Sequence, residues 1–115
     1  MATNYGTPPI VQDGLIHCWD PASQRSYPGS GTTLTDLVGN DNGTISNATF
    51  DANNYGSFYF DGADDIITFQ TELDLGITQT ISFWIKQDTP TVAESILGNS
   101  LANNYLLYKQ SVGIY

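Results

Sequence analysis

The sequence predicts an all-β protein, and three observations lead to that prediction. The chain has 115 residues, which leaves room for one domain with a single core. Only 13% of the residues are charged and 12% are aromatic, so Asn, Thr, Ser, Gln and Gly must form the polar surface, as in many extracellular and viral β-proteins. Short apolar runs alternate with turn residues, whereas no long segment carries a helical period.

The strongest of these runs lie in the segment Phe58–Phe69. Two β-prone runs, Ser57–Phe60 and Ile66–Phe69, flank the polar turn Asp61–Asp65. Aromatic and β-branched side chains suit a pleated surface, and Asp-Gly favours a tight reversal of the chain. The segment therefore predicts a hairpin with a carboxylate-rich turn, and we expect the rest of the sheet to extend from it.

Before this hairpin the sequence predicts an arm, a strand, a loop and a second strand. Met1–Gln12 is polar and contains adjacent prolines, so we expect an extended N-terminal arm over residues 1–12. Asp13–Asp20 alternates between two faces and is predicted as a strand. Pro21–Thr35 is rich in Ser, Pro, Gly and Thr and is predicted as an ordered loop, and Thr44–Phe50 as a short strand.

After the hairpin the strands continue. Thr80–Asp88 is predicted as a strand with Ile81, Phe83 and Ile85 on one face. Ala93–Gly98 fits either a strand or a turn, and Tyr105–Lys109 and Val112–Tyr115 are predicted as two strands. About seven or eight short strands separated by turns favour an antiparallel two-sheet sandwich over a barrel. We expect this sandwich to span residues 13–115.

Two side chains in the first third of the chain have both a structural and a functional interpretation. His17 could be a ligand or an acid–base group, but a lone His without a Cys cluster is more typical of a packed strand residue. Arg25 is the only arginine, and we expect a salt bridge to Asp20 or Asp36 rather than a substrate clamp.

The charge of the chain excludes several classes of partner. Twelve acidic and three basic residues give a formal net charge of −9, so neither nucleic acid nor an anionic membrane is an expected partner. We expect no signal peptide and no membrane span, and the lone Cys18 cannot form an intramolecular disulfide. An extracellular type of composition without a secretory signal is typical of a phage particle.

Six short motifs follow one another along the chain: Asp13–Asp20, Ser26–Thr33, Asp36–Asn40, Asn42–Thr44, Phe60–Asp65 and Thr80–Lys86. In this order and spacing they resemble the laminin-G-like branch of the concanavalin A-like lectin/glucanase superfamily, in the versions found in virion proteins of tailed phages. The resemblance covers about Val11 to Tyr115 and implies a jelly-roll sandwich. Domains of this family are usually longer, so we expect a longer domain or completion by a neighbouring subunit rather than a minimal sandwich.

The resemblance implies a bacteriophage virion structural protein that acts as a capsid decoration, fibre or other appendage component. We expect it in the virion, assembled in the host cytoplasm, as a homo-oligomer or in symmetric copies beside other virion proteins, with a host surface glycan as a further partner. The alternative is a calcium-dependent carbohydrate-binding module of a longer secreted protein, which would place it outside the cell. A third hypothesis is that the chain is the remnant of a glycosidase.

Enzyme activity is not expected from the sequence. Retaining glycosidases of the superfamily need two carboxyl groups about 5–5.5 Å apart. The nearest candidate pair is Glu72 and Asp74, which lacks the third acid of the glucanase pattern and lies in a connection. The sequence also contains no P-loop, no zinc-ligand spacing and no nucleophile elbow.

Two candidate sites follow from the resemblance and the residue pattern. The position of Asp64 and Asp65 resembles the place where pentraxin-type relatives set an acid and an amide as calcium ligands, although two carboxylates supply too few of the six to eight oxygens that calcium needs. The competing interpretation is that one of them caps the turn while the other is solvated. Tyr59, Trp84 and Tyr105 are the candidate carbohydrate-binding residues, with core or interface packing as their alternative role.

Overall fold

The structure is a computed structural model that describes residues 10–71, 78–87, 94–98 and 105–109. The regular structure in these residues is antiparallel strand, apart from one 3-10 turn at Asn53–Tyr55. This confirms the predicted all-β class. The strands are β1 Thr33–Leu34, β2 Gly43–Ser46, β3 Thr49–Asp51, β4 Ser57–Tyr59, β5 Ile66–Phe69, β6 Glu94–Gly98 and β7 Tyr105–Lys109.

The chain divides into two compact units, Met1–Thr71 and Glu72–Tyr115. In the first unit, β1, β2 and β5 form a three-stranded sheet with β2 in the centre. Ile45 on β2 lies opposite Ile67 on β5. Gly43 must be small, because a Cβ atom there would lie 2.8 Å from Cγ2 of Ile67 and 3.0 Å from Cε1 of Phe69.

The second sheet of the first unit pairs β3 with β4 and places Phe50 opposite Phe58. Both sheets contribute side chains to one hydrophobic cluster. Burial of apolar surface is the main favourable term in folding, so this cluster is the core of the unit. Its buried members are Tyr27, Leu34 and Ile45, and the half-buried residues packed on them are Trp19, Ala48, Phe50, Phe58 and Ile67.

The predicted hairpin over Phe58–Phe69 is wrong in its pairing, although both of its strands exist. The strand β4 pairs with β3, and β5 pairs with β2, so the two runs belong to different sheets. Residues Asp61–Asp65 link these two strands, and Gly62 within them has a φ of +81°. The polar residues locate the break between the two apolar runs, but the burial of Phe58 and Ile67 in the core decides which strands pair.

The predicted strand over Thr44–Phe50 is two strands. Asn47 adopts a φ of +63°, and the N–H of Ala48 donates to the carbonyl of Ser46 at 2.8 Å. Asn is one of the few residues other than Gly that accept this left-handed conformation at low cost. The break lets Ile45 join the three-stranded sheet while Phe50 joins the other sheet.

The segment Asp13–Asp20 has no regular structure, contrary to the predicted strand. Its backbone is instead tied to the segment around Asp36. The N–H of Leu37 donates to the carbonyl of Cys18 at 2.8 Å, while the N–H of Cys18 donates to Oδ1 of Asp36 at 2.9 Å. A side-chain carboxylate therefore takes the place of the backbone acceptor that a strand ladder would supply.

The loop over Pro21–Thr35 is ordered, as predicted, but its end forms β1. The fully buried Ser26 fixes it: its Oγ donates to the carbonyl of Thr35 at 2.6 Å and accepts the N–H of Asp20 at 3.1 Å. The N–H of Thr35 also donates to the carbonyl of Ser26 at 2.7 Å. Every polar group of this buried side chain thus has a partner.

In the second unit, β6 and β7 form a two-stranded antiparallel sheet whose register is irregular between Ser95 and Gly98. This confirms the strand at Tyr105–Lys109 and decides the ambiguous segment Ala93–Gly98 in favour of a strand from Glu94. The strand predicted over Thr80–Asp88 is wrong, because its described residues, up to Gln87, have no regular structure. Alternation of apolar side chains is compatible with an extended segment outside a sheet ladder, and none of the described strands includes these residues.

Several sequence-based expectations lie outside the described residues. They concern the first nine residues of the N-terminal arm, the pair Glu72 and Asp74, and the strand predicted over Val112–Tyr115.

Candidate functional site

The most densely bonded side chain in the described residues is that of Asp36, whose carboxylate is fully buried. Its Oδ1 accepts the N–H groups of Cys18 at 2.9 Å and Val38 at 3.1 Å. Its Oδ2 lies 2.6 Å from Nδ1 of His17 and accepts the N–H of Asp41 at 3.4 Å. We call Asp36 and these four residues the Asp36 network. A carboxylate that accepts several hydrogen bonds is stabilised in its charged form.

The hydrogen bonds of this network control the ionisation of Asp36. Burial would raise the pKa of the carboxyl group, but the bonds from the N–H of Cys18, from His17 and from the backbone after Asp36 hold its pKa well below the ordinary range. The group is therefore a carboxylate at any physiological pH.

This depressed pKa predicts an acid-dependent loss of stability. Because the pKa is lower in the folded than in the unfolded chain, Asp36 contributes stability above its unfolded pKa of about 3.9, and this contribution is lost as the pH falls. We expect the free energy of unfolding to fall more steeply between about pH 4 and pH 2 in the wild type than in Asp36→Asn. Urea unfolding at a series of pH values measures both slopes. Parallel curves would contradict the prediction, and the exposed Asp13→Asn serves as the matched control.

Two neighbours complete the packing around this network. The ring of His17 stacks on that of Trp19 with centroids 5.1 Å apart. The indole Nε1 of Trp19 donates to the carbonyl of Asp41 at 2.8 Å. Gly39 has to be glycine, because a Cβ atom there would lie 2.5 Å from Oδ2 of Asp36 and 2.7 Å from the carbonyl of Ile16.

Arg25 does not make the predicted salt bridge to Asp20 or Asp36. The ion pair of Asp36 is with His17, and Oδ1 of Asp20 accepts the N–H of Ala22 at 3.0 Å. Arg25 itself is exposed. The compact loop accounts for this result: backbone donors reach both carboxylates, and each such bond costs less conformational entropy than ordering an arginine side chain.

The His17–Asp36 pair has the geometry of an acid–base pair, but the adjacent thiol is not activated. Burial raises the pKa of Cys18, and the nearby carboxylates of Asp20 and Asp36 raise it further. The thiol, rather than the nucleophilic thiolate, is therefore the form present at neutral pH. The pair fixes the fold of this region, in line with the structural interpretation of His17.

The carboxylate turn, defined as Asp61, Asp64 and Asp65, brings both predicted calcium residues together and adds a third. One oxygen from each of the three lies within 4.8 Å of the others. Oδ2 of Asp65 accepts the N–H of Asp61 at 2.6 Å, and Oδ2 of Asp64 accepts a hydrogen bond from Nδ2 of Asn47 at 2.8 Å. Asp65 thus bonds a backbone N–H of the turn, whereas Asp64 is exposed and bonded to a side chain. Calcium binding by these residues stays a prediction.

The three predicted carbohydrate-binding aromatics are divided between the two units. Tyr59, on β4 of the first unit, is 55% exposed. Trp84, in the second unit, is fully exposed. Tyr105 is the first residue of β7, and its side chain lies outside the described residues. Their role in carbohydrate binding stays a prediction.

A cleft that sequence reasoning missed lies in the first unit, between the loop after Asp20 and the 3-10 turn. Its volume is about 390 Å³. The only signal for it in the sequence is a large aromatic residue, Tyr55, directly before Gly56. We call it the Tyr55 cleft, and the residues that line it are Pro21, Ala22, Gln24, Tyr27, Pro28, Gly29, Phe50, Ala52 and Tyr55.

Comparisons of the chain with protein-family models, with curated proteins and with solved structures found no match in any of the three. The described part of the chain contains no helix with the length and apolar character of a membrane span.

Proposed function

We propose that this chain is a structural protein of a tailed-phage virion, a capsid decoration, fibre or appendage component that acts by adhesion. Its two sheets in the first unit would belong to a laminin-G-like jelly-roll sandwich. Two features support a sandwich: both sheets pack side chains into one hydrophobic cluster, and the chain crosses from one sheet to the other between β4 and β5.

The observation that carries the adhesive role is the exposure of apolar side chains. In the described part of the first unit, three large apolar side chains are buried and eight are exposed. Tyr59, Phe60 and Ile66 are 55%, 47% and 54% exposed and flank the carboxylate turn. Exposed apolar surface of this kind marks an interface when it is contiguous. The eight are Ile10, Val11, Ile16, Val38, Tyr55, Tyr59, Phe60 and Ile66.

The net charge of the chain is compatible with an adhesive role. A formal net charge of −9 keeps the free protein soluble and disfavours nucleic acid and anionic membranes. Association would then depend on apolar and polar contacts with neighbouring proteins and on a neutral host glycan. Glycan contact through Tyr59, Trp84 and Tyr105 is part of this proposal, and loss of glycan binding in Trp84→Ala would support it.

The experiment that tests the virion role is to locate the chain in phage particles. Particles purified on a density gradient are examined by mass spectrometry, and the position of the chain is determined by electron microscopy. Copies arranged with the symmetry of a capsid or tail support the proposal. A chain that is made in infected cells but absent from purified particles contradicts it.

The alternative, a calcium-dependent carbohydrate-binding module, is favoured by one observation, the third carboxylate of the turn. Asp61, Asp64 and Asp65 together could supply three oxygens, and water would have to complete a calcium shell. Each carboxylate uses one oxygen in a hydrogen bond within the protein and retains the other.

This alternative predicts that calcium stabilises the fold. Millimolar calcium chloride should raise the melting temperature by a few degrees, because a ligand that binds only the folded state shifts the unfolding equilibrium. Asp64→Asn should remove the increase, since it takes away a charged ligand at an exposed position. Magnesium chloride at the same concentration controls for ionic strength. No difference between the two salts would eliminate the calcium site and leave turn capping as the role of these residues.

A further inference from the structure

The Tyr55 cleft is built from two loops that are fixed to each other. A Cβ atom at Gly56 would lie 2.8 Å from the carbonyl oxygen of Pro21 and 3.2 Å from Cα of Ala22. The backbone directly after Tyr55 therefore lies close to the backbone of the other wall. A site with fixed walls loses little conformational entropy when a ligand binds.

Hydrogen bonds hold each wall in its own shape. In one wall, Oδ1 of Asp51 accepts both the N–H of Asn53 at 2.9 Å and its Nδ2 at 2.7 Å. In the other wall, the N–H of Tyr27 donates to the carbonyl of Ser23 at 2.8 Å, and its hydroxyl donates to the carbonyl of Gly31 at 3.0 Å. The rings of Tyr27 and Phe50, with centroids 4.9 Å apart, form the inner surface.

Tyr55 has two properties that packing does not explain. Its side chain is 91% exposed, and its backbone has a φ of +72°, a left-handed conformation that costs a non-glycine residue about 1–2 kcal/mol. Glycine would adopt this left-handed backbone conformation at a lower cost in free energy. A large aromatic ring kept in a strained and exposed position, at the edge of a cleft, is typical of a ligand contact.

The lining of the cleft specifies the chemistry of its ligand. Among the described residues that form it, none carries a charge at neutral pH, although the chain has a net charge of −9. Aromatic faces accept the C–H face of a sugar ring, and the Gln24 side-chain amide can donate to and accept from hydroxyl groups. The volume of about 390 Å³ is at the lower end of the range of small-molecule sites, which is roughly 300–1,000 Å³.

We propose that the Tyr55 cleft binds a neutral carbohydrate, one or two sugar units long, with Tyr55 as the stacking platform and Gln24 as the polar contact. The inference rests on the adhesive function proposed above and adds a second glycan contact to it, which is lined by residues of the first unit other than Tyr59.

The test exploits the unusual backbone of Tyr55. Tyr55→Gly removes the ring and relieves the left-handed strain, so the fold should be retained and the melting temperature should not fall. Binding of soluble glucose, galactose, mannose and their disaccharides to the full chain is measured by ligand-observed NMR and by calorimetry. We expect Tyr55→Gly to raise the dissociation constant for the sugar about tenfold or more. Tyr55→Phe should keep a dissociation constant within about twofold of that of the wild type.

Each outcome decides between the two proposals. Weaker binding in Tyr55→Gly with an unchanged melting temperature supports the cleft, and Gln24→Ala should then weaken binding as well. Wild-type affinity in Tyr55→Gly overturns the cleft, and if Trp84→Ala loses binding the adhesive function stands with its glycan contact elsewhere. Failure of the wild type to bind any of these sugars, or binding of a proline-rich decapeptide in their place, also overturns the cleft. The location of the chain in particles still tests the virion role on its own.

Discussion

Asp36→Ala is expected to destabilise the first unit by about 3–5 kcal/mol, which is a large share of the total stability of a small domain. The side chain is fully buried, and its removal leaves the backbone donors of Cys18 and Val38 without an acceptor. It also leaves Nδ1 of His17 without its partner. Unpaired buried donors carry their full desolvation cost, whereas an intact bond contributes only a modest net gain.

Urea unfolding, followed by tryptophan fluorescence and circular dichroism, measures this effect. Asp36→Asn separates charge from shape, because the amide keeps an acceptor for Cys18 and Val38 but presents a donor to the N–H of Asp41. We expect it to lie between the wild type and Asp36→Ala. Asp13→Asn removes the same charge at an exposed position and should change the stability by less than about 0.5 kcal/mol. Equal stability of Asp36→Ala and Asp13→Asn would contradict the central role of the Asp36 network.

The Asp36 network connects two of the six sequence motifs that carry the family resemblance. These two motifs are the segments Asp13–Asp20 and Asp36–Asn40. In the fold they are bound to each other, through Asp36 and through the backbone bond between Leu37 and Cys18. The residue pattern thus indicated which residues matter, but not which atoms they contact, because a bond that spans 18 residues leaves no local trace.

Strand positions were easier to predict from the sequence than strand partners. The runs at β4 and β5 were located because aromatic and β-branched residues favour extended backbone. Their partners were assigned incorrectly, since pairing depends on which side chains reach the core, and Phe58 and Ile67 reach it from different sheets. The segment Thr80–Gln87 shows the converse case, in which alternation alone predicts a strand and the residues are not part of one.

One candidate site could be predicted from the sequence and the other could not. The carboxylate turn was found because its members are close in sequence, and Asp61 was missed only because its role as a turn residue was sufficient to explain it. The Tyr55 cleft was not found, because it joins loops about 30 residues apart and contains few residues with distinctive chemistry. Its defining feature, a tyrosine at positive φ, is a backbone property that composition does not reveal.

Tyr27→Ala is expected to destabilise the first unit by about 3–5 kcal/mol, a loss comparable to that of Asp36→Ala. Tyr27 is 6% exposed, and its ring packs against Phe50 at 4.9 Å and Phe58 at 5.0 Å between centroids. These two residues belong to the β3–β4 sheet, whereas the other buried members of the cluster, Leu34 and Ile45, belong to the other sheet. Removal of the ring therefore opens a cavity where the two sheets share their core.

Two further variants make this prediction specific. Tyr27→Phe keeps the ring and loses only the hydrogen bond to the carbonyl of Gly31. We therefore expect it to lower the free energy of unfolding by about 0.5–1.5 kcal/mol. Tyr59→Ala deletes the same side chain from a position that is 55% exposed and should cost less than about 1 kcal/mol. Chemical unfolding of the three variants and the wild type measures the loss of unfolding free energy in each variant. A cost for Tyr27→Ala no greater than that for Tyr59→Ala would contradict a core shared by the two sheets. Because Tyr27 also lines the Tyr55 cleft, Tyr27→Phe should keep sugar binding, whereas Tyr27→Ala removes part of the lining and should weaken it.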